Sequence, residues 1–248
     1  ALEFSPMPEG LETKILQERE ADAPLSLYFH IPFCRHLCYY CACNKIITKK
    51  NSDAGDYLEY LMAEIKHKRS LLKTPADRKN PLVKQLHFGG GTPTFLQDNE
   101  LIKLWEFLQT QFEFLPEDQG DYSIEIDPRE LGDETLTVLR NLGFNRVSLG
   151  VQDLDEKVQI AVNRINSAEL IENVLAEARR LGFQSTSGDL IGGLPHQTPT
   201  TLDKTVRRVI EMSPDRLSVF NYAHLPERFK SQRQIKEADL PTPAEKLT

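Results

Sequence analysis

Cys34, Cys38, Cys41 and Cys43 are the only cysteines of the chain, and all four fall in one short segment, HIPFCRHLCYYCACNK. Disulfides usually join distant segments, so this clustering argues against a disulfide framework and favours a reducing compartment. Thiolates this close together repel one another unless a cation holds them. The segment therefore predicts a metal ion or a metal cluster.

The first three cysteines have the spacing C-x3-C-x2-C. A structural zinc site usually takes two ligands from each of two knuckles, and the sequence has no second knuckle, although His30 or His36 could contribute. Three thiolates on one loop favour an iron–sulfur cluster that leaves one iron open to another ligand. Cys43 is interpreted as a non-ligand near the site, because a single residue separates it from Cys41.

Residues that could take part in chemistry also lie on the other predicted strands or directly after them. The glycines of GGGTPT (residues 89–94) permit close approach of backbone to a ligand, or only a tight turn. Glu125 and Asp127 share one face of a strand and could be the carboxylate pair of a glycosidase. The simpler readings are a structural ion pair for Glu125 and a loop turn for Asp127. The glycosidase reading leaves the cysteines unexplained. Gln152, Arg164 and Asp189 have no distinctive sequence context. Tyr28 and Tyr40 are most simply interpreted as aromatic residues of the core or of the barrel rim.

Six β-rich runs alternate with helical patterns, which predicts a parallel sheet with helices outside. Six such units make most of a TIM-like barrel, whose strand carboxyl ends carry the active site. We therefore expect one composite site at that rim. The strands are predicted at Ser26–Ile31, Leu82–Phe88, Tyr122–Ile126, Arg146–Val151, Ser185–Ile191 and Arg216–Phe220. The helices are predicted at Asp56–Leu72, Asp98–Phe112, Asp133–Asn141, Ser167–Leu181 and Pro199–Glu211.

Local signals refine this outline. Gly143 and Gly182 are each followed by Phe at the end of a helical pattern, which predicts left-handed residues that terminate the helices. Residues 224–240 are polar and are expected to form a long loop and a solvated helix. Pro243 and the residues after it resemble the first turn of a helix.

Composition limits the possible partners. The chain has 30 Lys and Arg against 37 Asp and Glu, a formal charge of −7, and 40% hydrophobic residues. This balance is typical of a globular protein and argues against a nucleic-acid or membrane partner, which needs clustered basic residues. No apolar run is long enough for a membrane span, and the start lacks the features of a secretory signal.

Taken together, the cysteine motif with its extension to Cys43 and the segments GGGTPT, IEIDPRE, GVQD, VNR, DLIGGLP and SVFNYAHLP resemble the oxygen-independent coproporphyrinogen III oxidases of the radical S-adenosylmethionine (SAM) superfamily. The resemblance covers nearly the whole chain. It implies an α/β fold, a partial TIM-like (β/α)6 barrel with parallel strands inside and helices outside. Residues 1–25 would be a lead-in segment, 26–223 the core, and 224–248 a loop and the start of a helix that leads to a missing C-terminal domain.

The resemblance also implies an activity. A [4Fe–4S] cluster would reduce SAM, and the resulting 5′-deoxyadenosyl radical would remove hydrogen from a propionate of coproporphyrinogen III. Loss of CO2 and an electron would leave a vinyl group, and two rounds would yield protoporphyrinogen IX. The implied partners are this porphyrinogen substrate and a reductant such as flavodoxin or ferredoxin. The protein would be a cytoplasmic monomer with two SAM molecules.

Family roles carry over to matching positions. The cluster ligands would be Cys34, Cys38 and Cys41, with His30 beside them. Tyr28, Gly90 and Glu125 would contact the cluster-bound SAM. The second SAM would contact Tyr40, Gly91, Thr92, Gln152, Arg164, Asp189 and Ala223.

Two other readings remain open. One is a haem-binding chaperone of the same superfamily, although that branch typically lacks the cysteine at position 43. The other is a barrel with structural or hydrolytic zinc. One departure from the family pattern is Gly192, which stands where Tyr is expected and puts a side-chain contact near the second SAM or the substrate in doubt.

Overall fold

The structure is a computed structural model that describes residues 6–246. The first five residues of the predicted lead-in segment and the last two of the predicted C-terminal helix lie outside the described residues. Nine strands are present: β1 (Leu25–Ile31), β2 (Phe33–Cys34), β3 (Ile46–Ile47), β4 (Leu82–Gly90), β5 (Glu113–Phe114), β6 (Asp121–Ile126), β7 (Arg146–Gln152), β8 (Ser185–Gly192) and β9 (Arg216–Asn221) in the described part.

Helices separate most of these strands. The α-helices of residues 6–246 are α1 (Leu11–Glu18), α2 (Ser52–Leu71), α3 (Asp98–Gln111), α4 (Thr135–Asn141), α5 (Glu156–Ala161), α6 (Ala168–Arg180), α7 (Pro199–Met212) and α8 (Pro243–Lys246). Short 3-10 helices span Pro93–Phe95, Pro128–Glu130, Lys230–Gln234 and Glu237–Asp239. Within the described range, none of these helices combines the length and the apolar character that a membrane crossing requires.

The main sheet has the order β1-β4-β6-β7-β8-β9, and every neighbouring pair is parallel. Strand β5 adds a short pairing to β4. Within residues 6–246, β1 and β9 form the two edges and do not pair, so the barrel is partial. The six predicted strands and the (β/α)6 fold class are therefore confirmed. Helices connect the successive strands of this sheet, because parallel neighbours need a crossover connection.

Side chains alternate between the two faces of the sheet. In β7, Val147, Leu149 and Val151 are buried beneath the helices, whereas Ser148 and Gln152 face inward and are only partly covered. The same period of two recurs in β6. This pattern places the hydrophobic core between sheet and helices and leaves a polar inner face.

The observed helices differ from the predicted ones chiefly in two boundaries and in two additional short helices. Helix α2 begins at Ser52, not Asp56, because Ala54 is fully buried and extends the apolar stripe by one turn. Helix α4 begins at Thr135, two residues late, because Asp133 lies in a turn. Helices α1 and α5 were not predicted, since eight and six residues are too few to show a 3.6-residue period.

The glycine terminators are confirmed. Gly143 and Gly182 have φ angles of 101° and 81°, in the region that favours glycine. After each glycine, the amide of Phe144 or Phe183 donates to a carbonyl of the preceding helix's last turns. These bonds satisfy carbonyls that a helix end otherwise leaves open and direct the chain into the next strand.

The prediction of a solvated helix in residues 224–240 is wrong. This segment forms two 3-10 turns, of which the first, Lys230–Gln234, packs on the cysteine loop. Ser231 Oγ donates to the carbonyl of Cys41 at 3.0 Å, and Gln232 Nε2 donates to the carbonyl of Tyr40 at 3.0 Å. Gln232 and Ile235 are buried. The basic residues that suggested solvation lie on either side of these two buried positions. Because Ser231 and Gln232 bond to the cysteine loop, the segment covers that loop.

Asn145 joins two strand ends through its side chain. Its Oδ1 accepts from the amide of Tyr122 at 2.9 Å, and its Nδ2 donates to the carbonyls of Glu117 and Gly120 at 3.0 and 2.9 Å. Asn145 is fully buried, so water cannot replace these partners. The side chain therefore fixes the loop that enters β6 against the start of β7.

Replacement of Asn145 by Ala is expected to lower the free energy of unfolding by about 2–3 kcal/mol, because the buried amide of Tyr122 and the buried carbonyl of Gly120 lose a hydrogen-bond partner. Urea denaturation measures the change. Asn141→Ala, at an exposed position in α4, is the matched control and should stay within about 0.5 kcal/mol of the wild type. Equal losses in the two variants would show that the Asn145 bonds contribute nothing specific.

Candidate functional site

A cavity opens at the carboxyl ends of the strands, next to the cysteine loop. Most of the residues that the sequence singled out lie around it. The predicted site residues that line it are Cys34, Cys38, Tyr40, Cys41, Gly90, Gly91, Thr92, Glu125, Gln152, Arg164 and Asp189.

Three predicted site residues do not line this cavity. Ala223 is exposed two residues beyond β9. Tyr28 is 57% exposed on β1, and its Oη lies 3.0 Å from Nδ1 of His30. Tyr28 also stacks on His87, with 5.8 Å between ring centroids, and His87 Nε2 lies 3.2 Å from Glu125 Oε1. Tyr28 and His30 therefore reach the cavity only indirectly, through neighbours.

The cysteine loop is closed at its base by β2 and β3. Phe33 pairs with Ile46 and Cys34 with Ile47. Beyond this pairing, the amide of Thr48 donates to the carbonyl of Cys34 at 3.0 Å. The described cysteines are all free thiols. Closing the loop at its base brings its thiols to one side of the cavity.

The neighbours of Cys34 and Cys41 shift the pKa values of these two motif cysteines in opposite directions. The Thr92 hydroxyl donates to Cys34 Sγ at 3.6 Å, and burial raises the pKa of the Cys34 thiol to about 11. The pKa of Cys41 is lowered to about 6, because the thiol of Cys43 hydrogen-bonds to it and Lys45 adds a positive charge. The pKa of Cys43 is raised by that same bond. Cys41 is therefore the thiolate of this pair, which suits a metal ligand.

The glycine run brings backbone close to the cysteine loop. Gly90 has a φ angle of 123°, and its amide donates to Glu125 Oε2 at 3.2 Å. The amides of Gly91 and Thr92 donate to the carbonyls of Ile31 and Phe33, both at 2.8 Å. A side chain at position 90 or 91 would collide with its neighbours. The glycines thus serve close packing beside the cavity as well as a tight turn.

Gly91→Ala is expected to lower the free energy of unfolding by about 2 kcal/mol, the usual cost of overpacking. The new Cβ would lie 2.7 Å from the carbonyl oxygen of Phe33 and 2.8 Å from the carbonyl carbon of Pro32, and neither can move without displacing Cys34. Gly55→Ala is the control: its Cβ meets only Glu100 Oε1, at 3.8 Å, and should add about 1 kcal/mol of helix stability. Denaturant titration of both variants measures this, and a stability loss shared equally would contradict the packing explanation.

Two arginines converge on one buried carboxylate. Asp127 Oδ2 accepts from Arg129 Nη2 at 2.6 Å and from Arg164 Nη1 at 2.9 Å. Burial opposes the charge of Asp127, but the hydrogen bond from Arg129 and the charge of Arg164 lower its pKa. Arg164 also donates to the carbonyl of Gly150 at 2.7 Å. The side chains are therefore fixed in place, and the carboxylate stays ionised.

Polar groups on the far wall are partly unsatisfied. Ser148 donates to the carboxylate of Asp189 at 3.0 Å, and burial raises the pKa of Asp189. Gln152 has a φ angle of 66° at an irregularity in β7. Its Oε1 and the Nε of Arg164 are buried and have no hydrogen-bond partner in the part of the chain that the structure describes. Orphaned atoms of this kind beside a cavity are available to a polar ligand.

Sequence reasoning missed several lining residues, among them Lys45, Arg129, Glu130 and Ser148. Arg129 was within reach, since it follows Asp127 and Pro128 directly in the quoted segment IEIDPRE. The departure at Gly192 lies on the wall of a separate cavity, where a Cβ would meet only Leu202 and the carbonyl of Phe220, at 3.7 and 3.8 Å. Position 192 therefore has room for a Cβ.

Comparison with known proteins extends these observations. The curated oxygen-independent coproporphyrinogen III oxidase of Pseudomonas aeruginosa is 54% identical over 229 residues, which cover 92% of this chain and 49% of that protein. The one from Escherichia coli K12 is 50% identical over 249 aligned positions, with coverage of 100% and 52%. The chain thus spans about half the length of these relatives.

A solved structure of one of these relatives has the same fold as this chain. The solved structure of coproporphyrinogen III oxidase from Escherichia coli, described as a radical SAM enzyme, superposes with a TM-score of 0.90 and 48% identity, and covers 97% of this chain and 54% of that one. A model of the radical SAM superfamily matches residues 28–209, well over half of the chain and from β1 to α7. The chain therefore belongs to the radical SAM superfamily.

Proposed function

We propose that this chain contains the radical SAM core, residues 26–223, of an oxygen-independent coproporphyrinogen III oxidase. The observation that carries the proposal is the cavity where three free thiols meet Gly90, Gly91 and Glu125. The two relatives with this name are 54% and 50% identical to the chain over the aligned residues, which supports the same substrate and reaction. Cys43 further supports the enzyme over the haem-binding alternative.

The thiols fit the cluster that superfamily membership implies. In a cubane, each thiolate binds a different iron, so the sulfurs need not converge on one point. Within residues 6–246, no three His, Cys, Asp or Glu side chains are grouped to hold a single metal ion, as zinc would need. Cys34, Cys38 and Cys41 would hold three irons of a [4Fe–4S] cluster and leave the fourth for SAM. Loss of a proton from Cys34 accompanies such binding.

The opposite wall fits SAM. The amino acid part of SAM carries a positive amine and a negative carboxylate, and its adenosine carries hydroxyls. Glu125 and Asp189 offer acceptors, Arg164 offers positive charge, and the orphaned Gln152 Oε1 offers one more acceptor. The glycines let backbone approach the ligand. We propose that Tyr28, Gly90 and Glu125 serve the cluster-bound SAM, and that the remaining predicted residues serve a second one.

A bound cluster and SAM would supply the radical chemistry: one electron from the cluster would cleave SAM, and a propionate of the substrate would lose a hydrogen atom, CO2 and one electron to become a vinyl group. The chain's task is to bind and orient both molecules and to keep water out. The buried Arg164 and the segment that packs on the cysteine loop, with Ser231 and Gln232, serve this exclusion.

The same proposal names the surroundings in which the protein works. Four free thiols suit a reducing cytoplasm, and a small reductant such as flavodoxin or ferredoxin would deliver the electron. We propose that the protein acts as a monomer.

Anaerobic incubation of the purified protein with coproporphyrinogen III, SAM and a reductant tests the proposal. The expected result is release of CO2 together with an equal amount of 5′-deoxyadenosine and with protoporphyrinogen IX. Omission of SAM is the control and should abolish CO2 release. Tight haem binding without CO2 release would favour the chaperone instead, and zinc without iron and sulfide would overturn the cluster.

A further inference from the structure

Cys38 differs from the other motif cysteines in its charged neighbours. Arg164 Nη1 lies 3.6 Å from its sulfur, and Arg129 Nη2 lies 3.8 Å away, both as hydrogen-bond donors. Among residues 6–246, Cys34 has only the neutral hydroxyl of Thr92 in this role. Two guanidinium groups thus face one thiol, and that thiol is the most buried of the four.

Arg129 is held against Cys38 by Asp127. Oδ1 of this carboxylate accepts from the backbone amide of Arg129 at 3.1 Å and from its Nε at 2.9 Å, while Oδ2 accepts from Nη2. Pro128 and the 3-10 turn that follows fix the backbone between the two residues. The guanidinium therefore has one carboxylate partner, and its Nη2 donates to the sulfur of Cys38 as well.

The charge balance near Cys38 is positive. Arg129 and Arg164 together carry two positive charges against the single negative charge of Asp127. Glu130, the next carboxylate of this turn, pairs with Arg35 at 3.6 Å. Hydrogen bonds and positive charge at a ligand sulfur stabilise the more negative, reduced state of an iron–sulfur cluster.

We infer that Arg129 is a positioning residue that raises the reduction potential of a cluster bound through Cys38 and so favours the arrival of the electron that SAM cleavage needs. The inference rests on the proposed function, since it requires the cluster. Arg164 contributes to the same effect, but it also has a proposed role toward SAM. Arg129 therefore gives the cleaner test.

The test is a redox titration of the anaerobically reconstituted protein, followed by electron paramagnetic resonance (EPR). At a fixed solution potential, Arg129→Gln is expected to lower the ratio of reduced to oxidised cluster about tenfold, which corresponds to about 59 mV for one electron. Iron and sulfide contents should equal those of the wild type. Arg129→Lys keeps the charge but cannot reach Asp127 and Cys38 together, so its ratio should fall about threefold.

Arg208→Gln is the matched control, because it removes one positive charge from the outer surface of α7, where Arg208 pairs with Glu172. It should leave the ratio unchanged. The inference is overturned by a wild-type ratio in Arg129→Gln or by an equal shift in Arg208→Gln. If Arg129→Gln binds no cluster, a wild-type ratio in Arg129→Lys overturns it and a lowered ratio supports it. Wild-type protein without iron and sulfide would instead contradict the proposed function.

Discussion

Replacement of Cys34, Cys38 or Cys41 by Ala is expected to abolish the iron–sulfur cluster, whereas Cys43→Ala should retain it. Each of the three motif thiols would bind a separate iron, so loss of one leaves two irons without a protein ligand. Iron and sulfide should fall from about four of each per chain to near zero in the three variants. This change removes the electron route altogether, so it has the largest effect expected of any substitution.

Cys43 is spared for a structural reason. It is exposed, and its thiol hydrogen-bonds to Cys41. The bond lowers the pKa of Cys41 and raises the pKa of Cys43, so Cys43 keeps its proton when Cys41 ionises. We therefore propose that Cys43 donates to a cluster ligand and is not a ligand itself. Iron and sulfide analysis of all four purified variants, reconstituted without oxygen, measures this. Loss of the cluster in Cys43→Ala would show that the assignment of ligands is wrong.

Glu125→Gln is expected to weaken SAM binding by about 10- to 100-fold while the cluster stays intact. The carboxylate accepts from the amide of Gly90 at 3.2 Å and lies 3.2 Å from Nε2 of His87, so it is held at the cavity wall. Gln keeps the shape but removes the charge that attracts the SAM amine. Hydrogen bonds to charged groups contribute about 1.5–3 kcal/mol, which gives this range of affinity.

Titration of the reduced variant with SAM, followed by EPR, measures the affinity. Glu106→Gln, at an exposed position of α3, is the matched control and should bind SAM like the wild type. Equal affinity in both variants would remove Glu125 from the SAM site. Loss of the cluster in Glu125→Gln would instead show that this side chain supports the cysteine loop.

Much of the fold was predictable from periodicity. The six main strands and the longer helices follow from β-rich runs and a 3.6-residue apolar stripe, because both patterns reflect burial on one face. Gly143 and Gly182 identified two helix ends, since few other residues adopt their φ angles. Short elements such as α5 escaped detection because six residues barely complete one turn and a half.

The site was predictable where residue type and spacing alone indicate the chemistry. The cysteine trio and the glycine run belong to this class. Contacts between distant segments do not. Gln232 donates to the carbonyl of Tyr40, which lies 192 residues earlier in the sequence, and no local pattern reveals this contact. Arg129 is similar, because its position in the sequence does not disclose that its side chain turns back to Cys38. Such contacts depend on tertiary packing alone.

The most direct test of the central claim is EPR spectroscopy of the anaerobically reduced protein, recorded with and without SAM. We expect the signal of a reduced [4Fe–4S] cluster, a change in its line shape when SAM is added, and no such signal in Cys38→Ala. A cluster signal that SAM leaves unchanged would contradict an open iron at this cavity, and so would an undiminished signal in Cys38→Ala.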